Sequence, residues 1–258
     1  MNETMKTIHS LRTTHGNFSE REVSENDLAQ IIDACVHAAN ASARQSYSII
    51  AVRDRKTVKE QFQYDGSKAL LFCVDYNRIS AAAGYLGHPF AAEGILGFIT
   101  GSTDTILAAQ TAAIAARSLG IDSLFTNSVH RRDLSEVYKA FGLPGKYCFP
   151  LITLILGYPV EEPGYLKGRL DGKGIIHNGK YQLLAEEELE QLVKEYDEAE
   201  KHLGIINNWT EMGFKHYLDW FYTKWCGRDN YAKQEEVLSV LGGSGFLGAQ
   251  ADKAKNGG

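Results

Sequence analysis

Cysteine and proline are sparse in this chain, four and five in 258 residues. Cys35, Cys73, Cys148 and Cys226 lie far apart with no Cys-x-x-Cys pair, so neither a disulfide framework nor a zinc site is expected. Cys73 and Cys148 fall in apolar runs and read as small buried hydrophobes. Surplus positive charge is also missing. Against 32 Asp and Glu stand 27 Lys and Arg, a net charge of −5. A nucleic-acid surface needs clustered excess cation, so that class of partner is not expected. No stretch approaches the ~18 apolar residues of a membrane span, and the opening MNETMKTIHSLRTT holds no apolar signal core. A cytoplasmic protein away from membranes is the expectation. The eight histidines show no metal-ligand spacing and no Gly-x-Ser-x-Gly marks a nucleophile elbow. Metal sites are not expected, and no catalytic acid, base or nucleophile is assigned.

The composition that is present, 44% hydrophobic and 23% charged, is that of a globular protein long enough for a large core. Leu28, Ile31, Ile32, Cys35, Ala38 and Ala39 recur at helical spacing and predict a helix from Glu25 to Ala39, with Ser24 and Asp27 at its start. A loop, Asn40 to Ser46, leads to the β-branched run Ser48 to Val52, read as a strand. Ala69 to Val74 and Leu151 to Leu156 are continuously apolar, as in strands covered on both faces. Between them an alanine-rich helix from Asp104 to Leu119 is stopped by Gly120, its small side chains suited to close packing or a subunit interface. Ala81 to Gly97, rich in glycine and aromatics, reads either as a mobile cover or as core packing. Helices alternating with buried strands predict a layered α/β arrangement.

Beyond Gly179 the character changes. Glu186 to Lys201 is a charged helix, and Trp209, Trp220 and Trp225 fall close together. Phe214, Tyr217, Leu218, Phe221 and Trp225 form an aromatic helix face, expected to pack on the main domain or a second subunit, or to gate substrate. The expected organisation is residues 1–180 as one domain, 181–241 as a helical aromatic extension and 242–258 as a flexible tail. Gly243 to Gly248 spells Gly-x-Gly-x-x-Gly, but too little chain follows to build a dinucleotide fold, and it is read as part of the tail.

Two basic fragments carry the chemistry. Lys167-Gly168-Arg169 places two cations at i and i+2, on one side of an extended segment. Joined by Arg12, Thr13 and Thr14, they make a socket sized for a dianion, the arginine fork matching phosphate oxygens. Each fragment sits in a longer stretch, and two more stretches lie between. Arg12 to Phe18 comes first, then Ala38-Ala39-Asn40-Ala41-Ser42-Ala43-Arg44-Gln45-Ser46-Tyr47 before the first strand. Next is Leu119-Gly120-Ile121-Asp122-Ser123, running on through Leu124 to Ser128, and last Lys167-Gly168-Arg169-Leu170 after Leu156-Gly157-Tyr158-Pro159.

In order and spacing, over about residues 8 to 180, these four stretches resemble the FMN-dependent nitroreductases. The resemblance implies an α+β fold, a mainly antiparallel or mixed central sheet flanked by helices, in a homodimer with FMN across the subunit interface. It implies that Arg12, Thr13, Thr14, Lys167 and Arg169 hold the phosphate and ribityl chain. It places Asn40, Ala41, Ser42 and Gln45 at the flavin ring, and the backbone of Phe125, Thr126, Asn127 and Ser128 near N5 and O4, where N–H groups stabilise charge on the reduced flavin. Gly16 and Ala43 depart from the family, standing where it has a second cation and an asparagine. The implied activity takes hydride from NAD(P)H onto the flavin and passes electrons, in a second step, to a nitro, quinone or other electrophilic acceptor. The same fold hosts other flavin chemistry, including dehalogenation and flavin fragmentation, and a flavin-binding protein without turnover is the third reading.

Overall fold

The structure, a computed structural model, describes residues 1–92, 94–172, 174–226 and 231–247. It divides into two compact units, residues 1–161 with 231–258, and residues 162–230. In the first unit the helices and strands run α1 (Glu3–His9), α2 (Glu25–Val36), β1 (Tyr47–Val52), α3 (Arg55–Phe62), β2 (Lys68–Asp75), α4 (Asn77–Tyr85), α5 (Gly94–Ser118), β3 (Asp122–Thr126), α6 (Leu134–Phe141) and β4 (Cys148–Gly157). The second unit holds α7 (Glu186–Asp197) and α8 (Tyr217–Trp220), and the chain returns to the first with α9 (Tyr231–Gly243).

The four strands pair in the order β1-β2-β4-β3, antiparallel throughout. This is the expected α+β architecture, resolved to a wholly antiparallel sheet. The continuous apolar runs follow from helices on both faces. Leu70, Phe72, Leu154 and Leu156 pack with α2 and α5 residues, while Ala69, Leu71, Cys73 and Ile155 pack with Val58, Phe62 and Val137 of α3 and α6. Alternation along each strand sends successive side chains to opposite layers, so the apolar run of β2 is buried at every position from Ala69 to Val74. Ser24 caps α2 through its hydroxyl, which accepts from Asp27 N at 3.0 Å.

The central helix differs from expectation. Predicted from Asp104, α5 begins at Gly94. Gly97 and Gly101 read as loop residues because mid-helix glycine costs ~1 kcal/mol relative to alanine. Here tertiary packing requires one of them: a Cβ on Gly101 would lie 2.5 Å from Val74 Cγ1. The Tyr76 hydroxyl donates to Gly97 O at 2.7 Å, anchoring the same turn. The proposed cover, Ala81 to Gly97, is accordingly split between α4, a connection and the start of α5. Phe90 and Phe98 pack with Tyr76, Phe149 and Phe246, so this part is core, while Tyr85 and Leu86 are exposed.

The expectation for the tail is also revised. The segment from Gly242 is not free where it is described. Phe246 and Ser244 are buried, Gly245 turns at φ +87°, and Tyr147 N donates to Ser244 O at 2.9 Å. Residues 248–258, including the last glycine of the Gly-x-Gly-x-x-Gly run, lie outside the described residues. The aromatic set makes its own small core inside the second unit. Trp209, Tyr217 and Trp220 are buried with Tyr196, Phe214, Leu218 and Phe221, while Trp225 is exposed. Asp197 joins α7 to α8 by accepting from Tyr217 N at 2.8 Å.

Candidate functional site

The N-terminal segment attaches to the open edge of the sheet. Thr13 bridges Ser123 in parallel fashion, and Thr14 N donates to Ser123 O at 3.1 Å. Side chains alternate along this added strand, so Arg12 and Thr14 point one way and Thr13 the other. Arg12 Nε and Thr14 Oγ1 both donate to Asp122 Oδ2 at 2.7 Å. Arg117 Nη1 donates to Asp122 Oδ1 at 2.8 Å, and Arg117 Nε to Ser10 Oγ at 3.1 Å. Two guanidiniums and a hydroxyl thus converge on one carboxylate at the sheet edge. Asp122 is wholly buried, which only this density of donors makes tolerable.

The Thr14 hydroxyl proton goes to Asp122, a bond that docks the segment on the sheet edge. Thr13 is exposed, on the face away from that ion cluster. Gly16, where the family has a second cation, sits at φ +80°, a left-handed turn that a long side chain would strain. Phe18, matching the family, is a packing residue whose ring lies against Gly157.

The Asn40–Ser46 loop forms a compact turn with Ser42, Ala43 and Gln45 at φ +54°, +54° and +48°. Asn40 Oδ1 accepts from Gln45 N at 3.1 Å, and Gln45 Nε2 donates to Val36 O at 3.2 Å. The two amides expected at the flavin ring are therefore engaged within the loop. Ser42 and Ala43 are exposed at its tip. Tyr47, which follows, has its phenol pKa raised by burial.

The Phe125–Ser128 stretch begins as the end of β3 and continues into a 3-10 turn at Ser128–Arg131. Ser128 N donates to Thr126 Oγ1 at 3.1 Å, whereas the buried Ser128 Oγ has no partner among the described residues. Buried hydroxyls are nearly always bonded, and Ser128 Oγ, like those of Ser46, Ser102 and Thr153, has its hydrogen-bonding capacity unused. Phe125 is half-buried against the α2/α5 core and Asn127 is exposed. His130 closes the turn, its Nε2 2.7 Å from Pro150 O, and burial lowers its pKa. In the second unit Lys167 Nζ donates to Gly204 O, and Arg169 Nη1 to Gly168 O at 2.8 Å; both residues are exposed. Gly168 is obligatory there, since a Cβ would lie 1.9 Å from Lys201 O.

Sequence reasoning overlooked Asp122, Arg117, Asp104 and Arg78. Asp122 was visible only as an acid in an apolar run. A flavin mononucleotide suits the donor set: a sheet edge carrying Arg12 and Arg117 beside an exposed threonine, a turn with exposed tip residues and an orphaned buried hydroxyl. Among the described residues no cluster of His, Cys, Asp or Glu is arranged to hold a metal.

No family model matches the chain. It is 31% identical over 209 residues to the FMN reductase [NAD(P)H] of Bacillus subtilis strain 168, covering 77% of this chain and 81% of the relative. The oxygen-insensitive NADPH nitroreductase of Salmonella typhimurium is 29% identical over 201 residues, covering 74% and 79%. The fold matches the NfrA1 nitroreductase of B. subtilis with a TM-score of 0.78 at 21% identity, covering 93% of this chain and 98% of that one. Both the fold and the curated relatives agree with the four ordered motifs, and the chain belongs to the FMN-dependent nitroreductase family.

Proposed function

We propose that the chain is an FMN-dependent oxidoreductase that takes electrons from NAD(P)H and delivers them, in a second half-reaction, to a nitro, quinone or other electrophilic acceptor. The observation that carries this reading is the pairing of Thr13 with Ser123. It joins the motif expected at the phosphate to the strand that ends in Phe125–Ser128, expected at the ring. The interval from Ser123 to Thr126 is about 10 Å at ~3.3 Å per residue. Bound FMN supplies the two-electron chemistry. The chain's residues bind and orient it: Arg12 contributes charge at the phosphate end, Thr13 an exposed hydroxyl, Ala41 and Ser42 the turn, and Thr126, Asn127 and Ser128 the polar edge. Lys167 and Arg169 enter through the Lys-x-Arg-Leu motif, and residues 1–180 make up the flavin-binding part.

The working form is a homodimer in this reading. It is supported by an unpaired apolar stripe on α5, where Ile95, Leu96, Ile99, Ile106 and Leu107 are exposed. Among the described residues no helix is long and apolar enough to cross a membrane. Free buried thiols at Cys35, Cys73 and Cys148 suit the cytoplasm.

The test is direct. The purified protein is expected to be yellow, to release FMN on denaturation, and to bleach with NADH or NADPH without oxygen. Re-oxidation by a panel of nitroaromatics, quinones, enones and halophenols then identifies the acceptor class. A colourless protein that takes up no FMN overturns the proposal; a yellow protein that neither donor bleaches leaves flavin binding without turnover.

A further inference from the structure

Asp104 is a buried acid, 1% exposed, on the apolar α5 helix. Its oxygens serve one purpose. Oδ1 accepts from Ala41 N at 2.8 Å and Oδ2 from Ser46 N at 3.2 Å, the first and last amides of the turn under the proposed flavin ring. No lysine or arginine pairs with it among the described residues. From α4, Arg78 Nη2 donates to the turn's carbonyls, Arg44 O at 2.9 Å and Gln45 O at 2.7 Å. An acid thus grips the ends of the turn while a base grips its carbonyls.

The turn needs such a grip. Three non-glycine residues, Ser42, Ala43 and Gln45, are left-handed, a conformation that L-residues avoid and that persists only when its surroundings over-determine it. A charged acceptor makes stronger bonds to backbone N–H than a neutral one. We propose that Asp104 is a positioning residue for the flavin: it holds the Asn40–Ser46 turn, before any ligand arrives, in the shape the ring side of the site requires. This rests on the flavin reading above and adds to it a residue that does not touch the cofactor.

Two variants test it from opposite sides. Asp104→Asn keeps the shape but turns one acceptor oxygen into a donor facing an N–H. Ala41→Pro deletes the other donor at the first position of the Ala41–Ala43 3-10 turn, where proline is tolerated, after an Asn40 that is already extended at φ −148°. Val137→Ala, in the core on the far side of the sheet, is the control for general loss of stability. Amide exchange in the apoprotein reads the grip itself; FMN titration, the bound-flavin spectrum and its midpoint potential read its consequence.

Both turn variants are expected to show faster exchange at residues 42–46 and about tenfold weaker FMN binding, about 1.4 kcal/mol. They should also shift the flavin spectrum and potential, while Val137→Ala leaves all three flavin readouts unchanged. Wild-type FMN affinity and spectrum in variants whose turn exchanges fast overturn the inference and leave the flavin reading intact. So does a loss no greater than that of Val137→Ala at matched stability. If Asp104→Asn does not fold, Ala41→Pro decides. A wild-type protein that binds no FMN removes the flavin reading, and this inference with it.

Discussion

Asp122→Asn is the perturbation whose consequences the structure works out most fully. The carboxylate accepts from Arg12 Nε, Thr14 Oγ1 and Arg117 Nη1, at 2.7, 2.7 and 2.8 Å. Asparagine retains one acceptor oxygen and turns an NH₂ toward donors, so at least one of the three bonds becomes a donor–donor clash. Removing the negative charge also leaves Arg12 and Arg117, whose side chains are 11% and 21% exposed, without this counter-charge. Breaking a buried ion pair from one side costs ~3–5 kcal/mol, and the part-exposed Arg117 argues for the lower end, ~3 kcal/mol. Urea unfolding of the apoprotein should show the midpoint falling at unchanged slope, the sign of a stability change alone. Arg117→Met in the Asp122→Asn background should be less damaging than in the wild type, because it removes a cation that Asp122 no longer neutralises. Amides of residues 10–14 should exchange faster as the added strand loosens. A loss below ~1 kcal/mol, with the Arg117 substitution simply additive, would falsify the account of this cluster.

Four further outcomes are expected. Ala43→Asn should stabilise the apoprotein by about 0.5 kcal/mol, because asparagine tolerates the φ of +54° better than alanine at this exposed tip; a lowered melting temperature refutes it. His130 is held neutral by burial, its folded pKa below the ordinary 6.5. Its stabilising contribution is therefore full above pH 6.5 and is lost as pH falls through that value toward the folded one, where the unfolded chain binds the extra proton. Urea midpoints at pH 7.5 and 5 should fall further for wild type than for His130→Gln, and equal falls exclude the effect. Gly101→Val should cost ~1–3 kcal/mol in chemical denaturation, since a Cβ there meets Val74 Cγ1 and Tyr76 Cε2 at 2.5 and 3.1 Å; wild-type stability contradicts the close approach. Ile99→Glu with Ile106→Glu should give a monomer by light scattering while the fold is retained, and an unchanged dimer places the interface elsewhere.

The fold was legible where burial imposes a local pattern. Ala69 to Val74 announced a strand covered on both sides, and it is one. The α2 periodicity and its Ser24 cap were readable for the same reason, since neighbours three and four apart share a face. The start of α5 was not readable: its glycines contradict helix propensity, and the helix there is held by tertiary contacts, Val74 and Tyr76 pressing on Gly101 and the Tyr76 hydroxyl donating to Gly97 O. β3 was not assigned from its motif, because a five-residue edge strand carries little periodicity of its own. The tail from Gly242 looked disordered by composition, yet Phe246 anchors it through a contact no local window contains.

By itself the sequence determined the family, the order of its four motifs and the sheet-and-helix layers, all of which follow from local pattern and residue identity. Which partners these side chains take was decided by tertiary structure. Arg12 and Thr14 are tied to an acid 110 and 108 positions away, Asn40 and Gln45 bond each other's loop, and Asp104 holds that loop from a helix 58 to 63 residues on. A polar side chain is committed by the donors and acceptors the fold brings within ~3 Å, and partners so distant in sequence leave no spacing to read.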